Sequence, residues 1–298
     1  MALAVAAVKG TPWSDASVTA LSEALAETLS SKTLDDAFKA LALNIPDEQS
    51  IGREIGTDID PDKIHAVRAK LLHAVFEPLA MQLLATYNAL ASTSPYAPDA
   101  LSTGRRSLRN RMLGLLLASD AAGADLLAAQ QYASASNMTD RMAALASSTY
   151  AGTPQVGAML ADFRSRFGGD PLVLDKWLAV TAAAPRDGVI EDMKAILADP
   201  SFPKTNPNRL RSLVGTFAMN NPTQFMRADG AGFRFVADFV AEVDKINPQV
   251  AARVLTGFRI WPMLDSTRRD AAKAALTGLQ ATTLSRNVAD ILTRMVAG

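Results

Sequence analysis

The sequence contains no cysteine, so disulfides, thiol nucleophiles, cysteine-ligated zinc and iron–sulfur clusters are all excluded. It also has no excess of charge, because 30 lysines and arginines balance 30 aspartates and glutamates over 298 residues. A net charge of zero gives no global electrostatic reason to expect nucleic acid or an anionic membrane as a partner. We therefore expect neither partner, and the lack of cysteine fits a cytoplasmic protein.

Long hydrophobic runs are missing as well. The run from Met112 to Ala118, for example, falls well short of the roughly 18 apolar residues that a membrane-spanning helix needs. Residues 1–8 are apolar but have no basic flank ahead of them, which makes a poor signal peptide. We expect these residues to be the end of a helix whose beginning is missing.

Histidine is scarce, since His65 and His73 are the only two in the sequence. His73 and Glu77 are four residues apart and could share a helix face, but neither H-E-x-x-H nor H-x-x-E-H occurs. A Ser-His-Asp site would need one of the same histidines, and no G-x-S-x-G elbow is present. We predict structural or surface histidines, no metal ligands and no catalytic residues in this chain.

Apolar residues at helical spacing, by contrast, run through almost the whole sequence, without the sustained alternation that predicts a strand. The longest predicted helix begins at Asp60-Pro61, and Pro78 inside it predicts a kink. The polar stretch at 47–58 is expected to be a loop or a single turn. Residues 92–98 contain two prolines and three Ser or Thr residues and form the clearest linker.

From residue 99 onward the pattern is a series of short helices joined by short connections. We predict them at 99–119, 121–134, 139–149, 153–167, 171–183, 187–198, 207–219, 231–246, 248–260, 264–279 and 283–296. Consecutive amphipathic helices without strands stack in pairs, as in HEAT and armadillo solenoids. The predicted fold class is an all-α superhelical array of antiparallel helix pairs. Residues 1–298 are taken as one domain, in which 1–91 can form a small N-terminal lobe.

The dipeptide Asn-Pro occurs three times, at 206–207, 221–222 and 247–248. Asparagine accepts a hydrogen bond from the first helical turn, and proline fits the first helical position because its missing N–H has no partner there. Each Asn-Pro therefore predicts the start of a helix. Arginines follow the first and third starts closely, and helix N-termini favour anions.

Helical periodicity places Arg211 on the flank of one of these helices, and Gln249 and Arg253 one turn apart on another. If neighbouring helices bring Arg211 and Arg253 to one concave surface, the two arginines form a carboxylate-binding wall. The alternative is two surface arginines, each paired with an acidic residue.

A second basic cluster lies at Arg105, Arg106, Arg109 and Arg111. On a helix several of these arginines share a face and could hold a phosphate. No interleaved aromatic residues accompany them, so we favour a solvated, salt-bridged face.

Five runs carry a resemblance to a known family: NMTDRMAAL at 137–145, LDKW at 174–177, NPNRLRSL at 206–213, DGAGF at 229–233 and NPQVAAR at 247–253. In this order and at these spacings they resemble the C-terminal helical domain of bacterial aminopeptidase N. The resemblance is strong from about residue 137 to the C-terminus. It is traceable back to LDDAF at 34–38 and covers essentially the whole chain.

That family comprises zinc-dependent aminopeptidases of the gluzincin type. Its zinc ligands and general base lie on H-E-x-x-H and a downstream Glu, in a thermolysin-like domain that also carries G-A-M-E-N and precedes the helical domain. Neither motif occurs in this sequence. The resemblance therefore implies a C-terminal domain without its catalytic domain: no cofactor in this chain, and zinc in the missing part.

In the family this domain is a superhelical bowl that caps the active site. The resemblance implies that Arg211, Gln249 and Arg253 line the cavity and contact the peptide toward its carboxyl end. The implied partners are the catalytic domain of the same polypeptide and the peptide substrate. Two alternatives stay open: a stand-alone helical-repeat scaffold that binds a protein, and, ranked last, nucleic-acid binding through the cluster at 105–111.

Overall fold

The structure, a computed structural model, describes residues 1–92 and 94–297. All the regular secondary structure in these residues is helical, and the only extended pairing among them is a single β-bridge between Ile59 and Leu264. The predicted all-α fold class is therefore confirmed. The α-helices are α1 (Ala2–Val8), α2 (Asp15–Ser30), α3 (Asp36–Ala42), α4 (Glu48–Ile55), α5 (Pro61–Phe76), α6 (Ala80–Ala89), α7 (Ala100–Ala118), α8 (Ala124–Ser134), α9 (Met138–Ala151), α10 (Val156–Phe167), α11 (Pro171–Ala182), α12 (Val189–Ala198), α13 (Pro207–Leu210), α14 (Thr216–Asn220), α15 (Pro222–Phe225), α16 (Ala231–Asp244), α17 (Pro248–Leu255), α18 (Ser266–Gln280) and α19 (Arg286–Ala297).

Three further segments are helical but not α-helical. A 3-10 turn at Glu77–Leu79 contains Pro78 and separates α5 from α6, so the helix predicted to run through Pro78 with a kink is interrupted there. A π-helical segment, Arg211–Gly215, lies between α13 and α14. A 3-10 segment, Thr256–Met263, continues directly from α17.

Most predicted helices from residue 99 onward have close counterparts in the structure. The predicted helix at 207–219 is interrupted by the π segment, and the one at 248–260 changes to 3-10 geometry after Leu255. The expectation of a loop at 47–58 is wrong, because this stretch contains α4. Ile51 and Ile55, four residues apart, are both buried and give α4 its apolar side.

The chain forms two compact units: Met1–Ile51 with Lys63–Asp162, and Gly52–Asp62 with Phe163–Gly298. Residues 92–98, the expected linker, lie inside the first unit, and Thr93 among them is outside the described residues. The treatment of the whole chain as one domain stays a prediction.

Helix α7 is the centre of the first unit, where it packs against α3, α6 and α9. Gly104 of α7 allows the close approach to α3, because a Cβ at this position would lie 3.1 Å from the backbone nitrogen of Ala37. Arg105 binds α7 to the end of α6 by donating to the carbonyls of Leu90, Ala89 and Ala91, each at 3.0 Å. These bonds satisfy carbonyls that a helix C-terminus leaves without partners.

An aromatic cluster forms the core of the second unit. The ring of Phe225 contacts Phe217, Phe233 and Phe258, with centroid distances of 6.1, 5.2 and 5.2 Å. The three interplanar angles lie between 75° and 88°, the edge-to-face geometry that aromatic quadrupoles favour. The cluster therefore joins α14, α15, α16 and the 3-10 segment.

The short segment Gly52–Asp62 is attached to the rest of the second unit by polar contacts. Arg268, which is 6% exposed, donates to the carboxylates of Asp62 and Asp265, the latter at 2.7 Å. The Asp265 N–H donates to the Ile59 carbonyl at 3.0 Å. The Asp60 carboxylate lies 3.3 Å from the same guanidinium. A buried guanidinium held by three carboxylates stabilises the unit only while its partners stay in place.

Gly232 sets how closely α16 approaches α15. A Cβ at this position would collide with the backbone carbonyls of Gln224 and Phe225, which cannot move as a flexible side chain can. Gly278 on the exposed side of α18 has nothing within 4 Å of its own Cβ position. The two glycines therefore differ in packing although both lie within helices.

We expect Gly232→Ala to lower the free energy of unfolding by about 3 kcal/mol, because the added methyl forces α16 away from α15. Gly278→Ala is the matched control. It should raise stability by about 0.5–1 kcal/mol through helix propensity alone. Urea unfolding followed by circular dichroism measures both changes, and equal effects of the two substitutions would show that the close approach is not stabilising.

Candidate functional site

The first Asn-Pro starts α13 as predicted. The side-chain oxygen of Asn206 accepts from the Asn208 N–H at 2.9 Å, and Pro207 takes the first helical position. The chain then enters the π segment at Arg211. π segments insert one residue into a helix and are frequent at functional sites, because they redirect the side chains beside them.

Arg211 is exposed, and its guanidinium is directed back along its own helix. Its Nε donates to the Pro207 carbonyl at 3.3 Å and its Nη2 to the Asn208 side chain. This direction follows from helix geometry, in which side chains lean toward the N-terminus. The guanidinium therefore lies over the start of α13, where the helix dipole also favours an anion.

The third Asn-Pro starts α17 in the same way, with the Asn247 side chain accepting from the Val250 N–H at 3.2 Å. Gln249 and Arg253 are one turn apart and both exposed. Val250 and Val254 are buried on another side of the helix, which confirms the predicted separation of the two faces. Within the described residues, the Gln249 and Arg253 side chains make no hydrogen bond or ion pair.

The structure places Arg211 and the pair on α17 on neighbouring elements, since α17 packs against the π segment. No described side chain bridges Arg211 to Arg253. The acidic partners that the alternative interpretation requires are also missing from the described residues around both arginines. Neither guanidinium has an acidic partner in the described part of the chain, although Arg211 bonds to Pro207 and Asn208 of α13, so a carboxylate could still be received between the two arginines.

The sequence did not reveal what fixes α13. Arg209 is 4% exposed, and its guanidinium pairs with the carboxylate of Asp175 on α11. The two residues are far apart in the sequence, so no local pattern signals the pair. This ion pair lies two residues before Arg211 and holds α13, which precedes the π segment, against α11.

The second Asn-Pro has a different role from the one predicted. Pro222 does begin a helix, the four-residue α15, but the Asn221 side chain makes no capping bond. Asn221 is buried, and its Nδ2 donates to the carbonyls of Ala182 and Ala184 at 2.9 and 2.8 Å. The side chain therefore attaches this turn to the end of α11.

The turn between α15 and α16 is also held by a charged pair. Asp229 accepts from Arg227, whose Nη2 lies 2.7 Å away, and from the Ala231 N–H at 3.0 Å. The hydrogen bond from Arg227, and then the one from Ala231, lower the pKa of Asp229 to about 2. Gly230 adopts a φ of +72°, which favours glycine, so the predicted tight turn is confirmed.

The basic cluster on α7 is largely used inside the first unit. Arg105 caps α6 as described above. The Arg106 guanidinium lies 4.6 Å from the centre of the Tyr96 ring, and the Arg109 guanidinium lies 4.2 Å from the centre of the Tyr87 ring. These cation–π contacts give the two arginines a structural role and leave them poorly placed to hold a phosphate.

Both histidines make contacts within the first unit. His73 Nδ1 lies 3.0 Å from the Ser119 carbonyl, and His65 Nδ1 lies 2.7 Å from Glu48 Oε1. The Tyr150 hydroxyl donates to the same Glu48 oxygen at 2.8 Å. Burial by itself would raise the pKa of Glu48, but its contacts with His65 and Tyr150 lower it. Burial, and then the charge of Glu48, raise the pKa of Tyr150.

Among residues 1–92 and 94–297, no three His, Cys, Asp or Glu side chains are grouped so that they could hold a metal ion. The chain's own residues therefore do not fit the zinc site that the resemblance implies for the family. In the same residues, no helix combines the length and hydrophobicity that crossing a membrane requires.

Comparison with protein-family models identifies a match over residues 2–297. The family is DUF3458_C, described as a domain of unknown function with ARM repeats. ARM repeats are stacked helices, in agreement with the predicted fold class. The match covers nearly the whole chain, including all three predicted site residues.

Curated relatives are much longer than this chain. This chain is 34% identical over 260 residues to Aminopeptidase N of Escherichia coli. The aligned region covers 87% of this chain and 30% of the relative. It is 35% identical over 256 residues to Aminopeptidase N of Haemophilus influenzae, covering 86% of the chain and 29% of that relative. The chain thus spans about a third of the proteins it matches, and the resemblance to a domain of aminopeptidase N is confirmed.

The same fold occurs in a solved structure, that of Legionella pneumophila aminopeptidase A in complex with aspartic acid. The TM-score is 0.84 over 93% of this chain and 33% of that one, at 23% identity. At this level of identity the comparison supports the fold alone.

The Arg209–Asp175 pair can be tested with one substitution. We expect Asp175→Asn to lower the free energy of unfolding by about 3 kcal/mol, because it leaves a buried guanidinium without a counter-charge. Asp187→Asn is the control: Asp187 also pairs with an arginine, Arg227 at 3.4 Å, but its side chain is 96% exposed. The control should change stability by less than about 0.5 kcal/mol. Thermal unfolding compares the two, and equal losses would contradict the role given to the buried pair.

Proposed function

The chain belongs to the DUF3458_C family of ARM-repeat domains, and from this we propose that it is the C-terminal domain of a zinc-dependent aminopeptidase. The observation that carries the proposal is the match to Aminopeptidase N, at about a third identity over nearly all of this chain but only 30% of the relative. The remainder of such a protein is long enough to hold a catalytic domain.

In this proposal the bound zinc supplies an activated water for cleavage of the first peptide bond, and it is held by the catalytic domain of the same polypeptide. The helical domain contributes enclosure of the active site and positioning of the peptide. Enclosure excludes bulk water, and positioning lowers the entropic part of the barrier. We expect the parent enzyme in the cytoplasm, with no nucleic acid or membrane as partner.

Arg211, Gln249 and Arg253 are the residues that we propose for positioning. Two guanidiniums and one amide offer charge-assisted and neutral hydrogen bonds to the carboxylate and carbonyls of a peptide beyond the scissile bond. The Gln249 and Arg253 side chains have no hydrogen-bond or ion-pair partner among the described residues. This supports the proposed role, because a peptide would not have to displace an intramolecular partner.

The isolated chain should bind no zinc and release no nitroaniline from aminoacyl-nitroanilides, since its described residues form no group of side chains that could hold the metal. Metal analysis after dialysis against zinc, and absorbance at the nitroaniline band, measure the two outcomes. The full-length enzyme is the positive control. Stoichiometric zinc together with turnover in the isolated chain would contradict the proposal.

The alternative function, a stand-alone helical scaffold, predicts the same negative result for the isolated chain. The encoding gene distinguishes the two functions. An H-E-x-x-H sequence in frame ahead of Met1 supports the peptidase domain, whereas a ribosome-binding site at that position supports the scaffold.

In the full-length enzyme, Arg211→Ala with Arg253→Ala should raise KM for tripeptides roughly tenfold or more and change kcat little. The reason is that hydrogen bonds to a charged group are worth about 1.5–3 kcal/mol and are made equally in ground and transition states. Steady-state kinetics provide the measurement. Aminoacyl-nitroanilides, which carry no carboxylate beyond the scissile bond, should keep their KM.

Arg286→Ala is the matched control, because Arg286 is an exposed arginine of the same unit whose side chain is 93% accessible. It should leave both substrates unaffected. An unchanged tripeptide KM in the double variant would show that the two arginines do not read the peptide.

A further inference from the structure

A pocket of about 330 Å³ opens on the second unit between the 3-10 segment and α19. Its walls are mostly apolar, with two arginines at the edge. The lining residues are Arg259, Trp261, Pro262, Ile291, Arg294 and Met295. A volume of this size accommodates a group as large as an aromatic amino acid side chain.

Trp261 forms the fixed wall of the pocket. It is 8% exposed, and its indole Nε1 donates to the Met295 carbonyl at 3.1 Å, so burial and this hydrogen bond fix the ring. The hydrogen bond also satisfies a carbonyl in the last turn of α19. The pocket is therefore preformed by packing and does not depend on a loop.

The two arginines of the pocket, like Arg253, lack the partners within the described part of the chain that the other arginines of the second unit have. Throughout the described residues of this unit, only Arg253, Arg259 and Arg294 have side chains without a hydrogen bond, ion pair or ring contact. Their neighbours are engaged: Arg268 with carboxylates, for example, and Arg286 with Asp290 at 3.9 Å. Arg259 and Arg294 both line the pocket and have no partner among the described residues, so both guanidiniums are available to an anion there.

Helix geometry shows how these arginines are related. From Gln249 to Arg253, four α-helical steps of about 100° return to within about 40° of the same side. From Arg253 to Arg259 there are two α-helical steps and four 3-10 steps. Together they bring Arg259 to within about 40° of the side on which Arg253 lies, about 11 Å further along the helix axis. The exposed side chains of Gln249, Arg253 and Arg259 therefore form one polar stripe that leads to the pocket.

We propose that this pocket binds an apolar group that carries a carboxylate, with the group against Trp261 and the carboxylate between Arg259 and Arg294. The stripe and the pocket together make a second recognition site, about 11 Å beyond Arg253. It does not require zinc or the catalytic domain, although in the proposed enzyme it would extend the reach of the substrate-binding surface.

Two sources can supply this chemistry: the C-terminal residue of a peptide, or a free aromatic acid. N-acetylphenylalanine represents the first and 3-phenylpropionate the second. If the pocket serves peptides, N-acetylphenylalanine and a tripeptide ending in phenylalanine bind at least as well as phenylpropionate. Stronger binding of phenylpropionate than of either peptide probe assigns the site to free acids.

Nuclear magnetic resonance on the 298-residue chain provides a direct readout, because the three tryptophans give three indole N–H signals. Trp261→Phe identifies the signal of the pocket. With N-acetylphenylalanine, the Trp261 signal should shift in a saturable way, with a dissociation constant on the order of 1 mM for a ligand of this size. The Trp13 and Trp177 signals should stay in place.

Two comparisons test the chemistry that we propose. N-acetylphenylalanine amide, which lacks the carboxylate, and N-acetylglycine, which lacks the ring, should each bind at least tenfold more weakly. Arg259→Gln and Arg294→Gln should each weaken N-acetylphenylalanine at least fivefold. Arg286→Gln, on the same helix as Arg294, should not change its affinity.

A Trp261 signal that does not move, or equal binding of the acid and its amide, would overturn the inference. So would arginine variants with unaltered affinity and an intact spectrum. These results are separate from the test of the proposed function. If the tripeptide KM does not change in the variant that lacks Arg211 and Arg253, the proposed enzyme role is contradicted but the pocket inference is not. If the pocket binds none of the probes, the pocket inference is contradicted, and any effect of the two arginines on KM must arise elsewhere.

Discussion

The arrangement of the second unit depends on the close approach of α15 and α16 at Gly232. Because a hydrogen atom stands where any other residue has a carbon, the backbone carbonyls of Gln224 and Phe225 can lie against α16. That approach brings the Phe225 and Phe233 rings within 5.2 Å of each other, and Phe258 is within reach of both. A side chain at this position would separate the helices before it affected any functional group.

The aromatic cluster explains why the candidate residues are well placed although they are exposed. Phe217 follows the π segment that begins at Arg211, and Phe258 follows α17, which carries Arg253. Both rings contact Phe225, so the two elements are anchored to the same core. Gly257 adds to this anchoring, because a Cβ there would lie 2.9 Å from that of Ala218 on α14. Exposed arginines on rigid supports lose less entropy on binding than arginines on loops.

Most helices and their starts can be predicted from the sequence, because caps are local. Asn206, Asn247 and Asp170 each accept from the first turn that follows them, as their residue types indicate. Asn221 has the same dipeptide, yet its side chain is used for carbonyls of another helix, which only the tertiary structure determines. The helix α4 was missed because Gly52 and its polar neighbours are typical of a turn, whereas burial of Ile51 overrides that preference.

The candidate site shows the same division between local and tertiary information. Periodicity alone put Gln249 and Arg253 on one exposed face, but it could not predict the π segment or the 3-10 continuation that aligns Arg259 with them. Nor could it separate Arg209 from Arg211, which are two positions apart and differ in burial and in their partners. Arg209 is buried with a carboxylate and stabilises the fold, whereas Arg211 is exposed. Burial and an acidic partner thus distinguish Arg209 from Arg211, which among the described residues bonds only to Pro207 and Asn208 of the preceding turn.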